Sequence, residues 1–103
     1  MRYEAKTMEA LGVALRVEGG RSPATAVTVS AHVIGNALRG VDSHGVVRYV
    51  QYREQIIDGV FDPAGEPRLD VEHDTSIRVD GGGGHGVPAM QLAAQEVCLR
   101  AQQ

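Results

Sequence analysis

Glycine punctuates this chain and limits what it can fold into. Gly19-Gly20, Gly40, Gly59 and the run Gly81–Gly84 divide it into stretches that each hold one or two short elements. Glycine lacks a Cβ and enters positive φ freely, so it ends helices and makes tight turns. The stretches differ in the period of their apolar residues. Residues 4–18 carry Met8, Leu11 and Leu15, with Ala14 beside them, at helical spacing. Gly12 lies inside that helix at a cost of about 1 kcal/mol relative to alanine. Ser22-Pro23 opens a second helix, a capping hydroxyl followed by proline in the first turn. Ala26, Val29, Val33 and Ala37 form its stripe, widened by Ile34 and Leu38. Thr25, Val27, Thr28 and Val29 lower the local helix propensity, but periodicity and cap favour helix over strand. A third helix is predicted from about His44 to Asp58, with Val46, Val50 and Ile57 in one row and Tyr49, Arg53 and Ile56 in another.

From Asp58 to Pro67 the chain is rich in turn formers. Leu69 and Val71 then alternate with Asp70 and Glu72, and Ile77 and Val79 with Arg78 and Asp80. This period of two predicts two half-buried strands, joined by a turn at His73-Asp74-Thr75. After the glycine run, Pro88 suits the first turn of a last helix whose alanines imply close packing. The expected class is α+β: three helices, a short hairpin and a closing helix. The expected units are a helical part over 1–60 and a second part over 61–103.

A chain of 103 residues makes one small domain at most. With one Phe, three Tyr and no Trp, its core must come from Val, Ile, Leu, Met and Ala. The net charge is −3, and Lys6 is the single lysine among ten basic residues. No basic patch follows from this, which argues against nucleic-acid binding and so against reading the short helices as a helix-turn-helix. Cys98 stands alone, so no internal disulfide forms, and a reducing compartment is expected. No apolar run approaches the roughly 20 residues that cross a bilayer, and the N-terminus lacks the apolar centre of a secretion signal. A soluble, cytoplasmic protein with no membrane partner is expected.

Three motifs could carry chemistry. Gly81, Gly83 and Gly86 fit G-x-G-x-x-G between a strand and a helix, the setting of a dinucleotide fingerprint. Four consecutive glycines match such a pattern by accident, however. The acidic residue expected about 20 positions later would fall at the chain end, so close approach of two elements is the preferred reading. His32, on the polar flank of the second helix, and His73 and His85, in turns, show no metal-ligand spacing, so no metal site is expected. The third motif, Asp42-Ser43-His44-Gly45 with Arg48, is the densest. With Ser43 as N-cap, a helix starting at His44 would place His44, Arg48 and Tyr52 on one face. A proton donor one turn from a two-pronged cation suits a small carboxylate substrate: Arg48 grips the carboxylate and His44 exchanges a proton. The bland alternative is a capping segment with His44 as an ordinary first-turn residue.

The run Leu38-Arg39-Gly40-Val41-Asp42-Ser43-His44-Gly45-Val46-Val47-Arg48, with Tyr52, Gly59, Pro63 and Val79-Asp80-Gly81, resembles the type 2 malate/L-lactate dehydrogenase family. That family comprises NAD(P)-dependent reductases of 2-oxo acids and cyclic imines with a non-Rossmann nucleotide-binding fold. The resemblance implies that His44 is the acid/base residue, that Ser43 supports it and that Arg48 binds the substrate carboxylate. It implies NAD or NADP as cofactor, with contact residues in this chain unknown, and a homodimer as the full-length assembly. Family members are roughly three times longer. The chain is therefore expected to be an N-terminal fragment, inactive alone, with most of the cofactor domain and further catalytic candidates downstream. A catalytically inactive helical interaction module is the second reading.

Overall fold

The computed structural model describes residues 2–103. In chain order it has α1 (Ala5–Glu18), α2 (Pro23–Leu38), a single 3-10 turn (Asp42–His44), α3 (Arg48–Ile57), β1 (Arg68–Glu72), β2 (Ile77–Asp80) and α4 (Gly86–Ala101). The α+β class expected from periodicity is the one found.

Helix α2 forms the centre. Ser22 Oγ accepts from the Thr25 amide at 3.3 Å and Pro23 occupies the first turn, so the predicted cap is present. Its buried stripe is Thr25, Ala26, Val29, Ser30, Val33 and Ile34, and Val29 and Val33 are fully buried. Leu38, expected on that stripe, is 72 % exposed because the helix ends there, beyond its packing partners.

Helix α1 lies against α2 on the predicted side, with Met8 packed against the core and Leu15 half-buried, but its most buried positions are not its leucines. The buried residues are Gly12 and Arg16, whereas Leu11 is 47 % exposed. The reason is steric. A Cβ on Gly12 would collide with the Tyr49 hydroxyl and meet Ser30 Oγ at 2.8 Å, so the missing side chain admits both neighbouring helices. Tyr49 uses that space to donate to the Met8 carbonyl at 3.0 Å. Arg16 follows one turn later and donates to the Gly12 carbonyl at 3.2 Å and to Ser30 Oγ at 3.4 Å. The glycine that weakens α1 locally is thus what brings α1, α2 and α3 together.

Strands β1 and β2 pair antiparallel. Leu69 faces Val79 and Val71 faces Arg78, which leaves Asp70 as the extra residue of a bulge. The connecting turn closes with the His73 amide donating to the Ser76 carbonyl at 2.8 Å. The run Gly81–Gly84 has the structural use expected of it. A Cβ on Gly65 would strike the Gly82 carbonyl, and one on Gly82 would strike the Glu66 carbonyl. Gly82 and Gly83 also have φ of 67° and 74°. Two loops therefore pack backbone to backbone, and the Asp62 amide donates to the Gly83 carbonyl at 2.8 Å. Helix α4 begins at Gly86 and so holds Pro88 in its first turn, as expected, and His85 caps it: Nδ1 accepts from the Val87 amide at 3.1 Å. Among the described residues no helix is long and apolar enough to cross a membrane.

Candidate active site

The Asp42–Arg48 motif sits where α2 gives way to α3. At the end of α2 the Gly40 amide donates to the Ala37 carbonyl at 3.1 Å and the Val41 amide to the Asn36 carbonyl at 2.9 Å. Gly40 takes φ 81°, a conformation that disfavours any side chain. The turn that follows is short: the His44 amide donates to Val41 and the Gly45 amide to Asp42, both at 3.1 Å. Gly45 is buried against α2, where a Cβ would meet that of Ala37 at 3.1 Å. The glycine of the Asp-Ser-His-Gly motif is thus set by packing, and its neighbours by exposure.

The predicted helix start at His44 is not observed. Residues 42–44 form the 3-10 turn, Gly45 is extended with ψ −143°, and α3 begins at Arg48. Ser43 caps no helix; its Oγ lies 3.0 Å from His44 Nδ1. His44 and Arg48 are therefore not one α-helical turn apart. The four-residue spacing from His44 to Arg48 is spent on this turn, where Gly45 takes φ −97° and ψ −143°, outside the helical region. Tyr52 does not join them either. Its ring meets the His85 ring edge-on, centroids 4.3 Å apart, in the interior.

Of the predicted site residues, the structure joins Ser43 to His44, while Arg48 pairs with Gln51. Ser43 and His44 are exposed and Arg48 is half-buried, its Nη1 donating to Gln51 Oε1 one turn along α3. The clefts of about 250 Å³ between α1 and α3 and about 650 Å³ between α2 and α4 are walled by other residues. Sequence reasoning missed Asn36. Its Nδ2 donates to the His44 carbonyl at 3.2 Å and lies 3.2 Å from His32 Nε2. It thus ties the imidazole-bearing turn to α2. Eight residues separate it from His44, and nothing in the periodicity of α2 marked it.

The glycine run does not fit a nucleotide cradle. Its carbonyls at Gly82 and Gly83 face the 62–66 loop, the Gly84 amide donates to the Gly81 carbonyl at 3.2 Å, and the Gly82 amide donates to Asp80 Oδ1 at 2.8 Å. That last bond, with help from Arg68, holds the Asp80 carboxyl below its usual range. Backbone groups occupied in this way cannot also wrap a pyrophosphate.

Four helices around a two-stranded antiparallel ribbon define an α+β unit that recurs inside larger dehydrogenases. Malate dehydrogenase from Entamoeba histolytica contains it with a TM-score of 0.93 at 23% identity, over 99% of this chain and 28% of that one. Malate dehydrogenase from Pyrococcus horikoshii contains it at 0.91 and 24%, over 99% and 29%. The delta1-piperideine-2-carboxylate reductase of Pseudomonas syringae contains it at 0.88 and 22%, over 99% and 31%. The chain thus spans less than a third of the length of these structures. No curated protein sequence matches it. The sequence model of the malate/L-lactate dehydrogenase family matches residues 3–103, and the chain belongs to that family.

Proposed function

We propose that this chain is the substrate-facing part of an NAD(P)-dependent oxidoreductase that interconverts a small 2-oxo acid and its 2-hydroxy acid. The observation that carries the reading is the Ser43–His44 pair, exposed at a turn held to α2 by Asn36 and by the packing of Gly45 on Ala37. With Nδ1–H donating to the Ser43 hydroxyl oxygen, the doubly protonated ring gives its Nε2 proton to the substrate carbonyl oxygen during reduction and becomes the neutral Nδ1–H tautomer with Nε2 free. In the opposite direction Nε2 takes it back. Arg48 holds the substrate carboxylate with nitrogens not engaged by Gln51. The dinucleotide is held by groups other than the glycine run, and the assembly is a homodimer in the cytoplasm.

The test is a comparison of NADH and NADPH oxidation with a panel of 2-oxo acids, using the product of the natural reading frame and its His44→Ala variant. Equal turnover would remove His44 from the chemistry. Arg48→Ala should raise KM for carboxylate substrates far more than it lowers kcat, and an unchanged KM would remove the clamp.

A further inference from the structure

The most unusual polar group in the molecule lies away from the motif. Arg16 and Arg21 are 5 % and 4 % exposed, and His85 is 7 % exposed. Five of their nitrogens are buried with no partner: Arg16 Nη2, Arg21 Nε, Nη1 and Nη2, and His85 Nε2. All five are donors. The guanidinium nitrogens can only donate. His85 Nδ1 accepts from the Val87 amide, which leaves the proton of the neutral ring on Nε2. Aromatic rings cover the cations: Arg16 stacks over Tyr49 at 4.9 Å and Tyr52 at 5.6 Å, and Arg21 over Phe61 at 5.9 Å. The His85 ring sits between Tyr52 and Phe61, with centroids at 4.3 and 5.2 Å.

Among the described residues no acceptor reaches these five nitrogens. Glu66 carries the nearest negative charge felt by Arg21, but its carboxylate takes hydroxyls from Ser22 at 2.7 Å and Thr25 at 2.8 Å instead. Cation–π contacts at this range offset only part of the loss of hydration of a buried guanidinium, which stays charged at any working pH. Two buried like charges with unfilled donors call for a counter-charge.

We propose that Arg16, Arg21 and His85 form a binding site for a small inorganic anion of chloride size. Arg16 also walls the cleft between α1 and α3, and His85 the cleft between α2 and α4. The cluster thus lies between two openings, and an anion enters by a side-chain movement at either. An anion is preferred to water because two full positive charges favour it, and to a larger organic acid because the aromatic rings close around the donors. The groups facing His85 are Arg16, Arg21, His32 and Tyr52. With no anion present the cations and burial hold its imidazole well below the ordinary range, at about 4. A bound anion reverses part of that effect. This site is independent of the reading of His44.

The experiment is thermal melting of the chain at fixed ionic strength, with gluconate replaced stepwise by chloride. The expected result is a saturable rise in Tm. In chloride-free buffer the His85 imidazole, followed by NMR, should titrate lower than in saturating chloride. Arg21→Met, of similar length but apolar, should weaken chloride binding about tenfold or more. Crystals of the unmodified chain grown with bromide should show an anomalous peak among the three side chains, a readout that does not depend on any variant folding. A melting temperature indifferent to chloride, or bromide absent from the cluster, overturns the proposal. In that case Glu66→Gln should be strongly destabilising, since Glu66 would then be the counter-charge.

Discussion

Two histidines of this chain show how differently sequence and structure weigh a residue. His44 lies in a recognisable motif, and the structure leaves it exposed, touched by Ser43 and tied by its carbonyl to Asn36. His85 follows a glycine run that invites dismissal, and the structure buries it between two aromatic rings beside two arginines. The first has the access that proton exchange with a substrate requires. The second has lost access and keeps a donor that nothing satisfies. Chemistry needs a reachable group on a rigid base, whereas an altered proton affinity needs burial near charge. Here the two conditions fall on different residues.

The contrast breaks most decisively through activity. His44→Ala should lower kcat/KM with a 2-oxo acid by about 10²–10⁴-fold, the usual worth of one general acid. His85→Gln should leave the same quantity within a factor of about three, which corresponds to less than 1 kcal/mol of transition-state stabilisation. Steady-state kinetics on the two variants reads both, and the reverse ranking would exchange their roles.

The second effect is on stability and belongs to His85. Its folded value of about 4 lies below the ordinary 6.5. Between those values the unfolded chain takes up a proton that the folded chain does not. Stability therefore falls as pH drops from 6.5 to 4 and stops falling through this group below that. The span amounts to on the order of 3 kcal/mol. Chemical denaturation in chloride-free buffer across that window should show the loss, and His85→Gln should flatten it.

Next in size is Asn36→Ala. It removes the amide that donates to the His44 carbonyl, worth about 1 kcal/mol as one hydrogen bond. Because Asn36 acts through the turn, it is a positioning residue. The variant should lower kcat more than it raises KM, and amide exchange at His44 and Gly45 should speed up. Unchanged exchange would show that the turn holds without it. Smallest is His44→Ala on folding. An exposed side chain with one neighbour should change the unfolding free energy by less than about 0.5 kcal/mol. A larger loss would mean that His44 supports the fold.

Much of the framework was legible because its causes are local. Ser22 and Pro23 marked the start of α2, alternation marked β1 and β2, and the glycine run was read as a place of close backbone approach. The Asp-Ser-His-Gly motif placed the chain in its family before any coordinates. What the sequence obscured lay where one residue answers to a distant one. The apolar stripe of α1 found the packed side through Met8 and Leu15, but the hydrophobic period does not register that Gly12, not Leu11, is buried to make space for Tyr49. A helix from His44 looked natural from Ser43 onward, but the backbone leaves the helical region at Gly45, which packs on Ala37. His85 read as a turn residue, and nothing local marked Arg16 or Arg21 for burial.

By itself the sequence determined most element ends and changes of period, the start of α3 excepted, since caps, glycine conformations and apolar spacing act within a few residues along the chain. It also determined membership of a family, since the motif is contiguous. Tertiary structure alone decided which face of each helix is covered, which histidine stays in water and which cations lose it. Those outcomes depend on contacts between residues tens of positions apart, where burial sets hydration and charge and no local pattern records the neighbour.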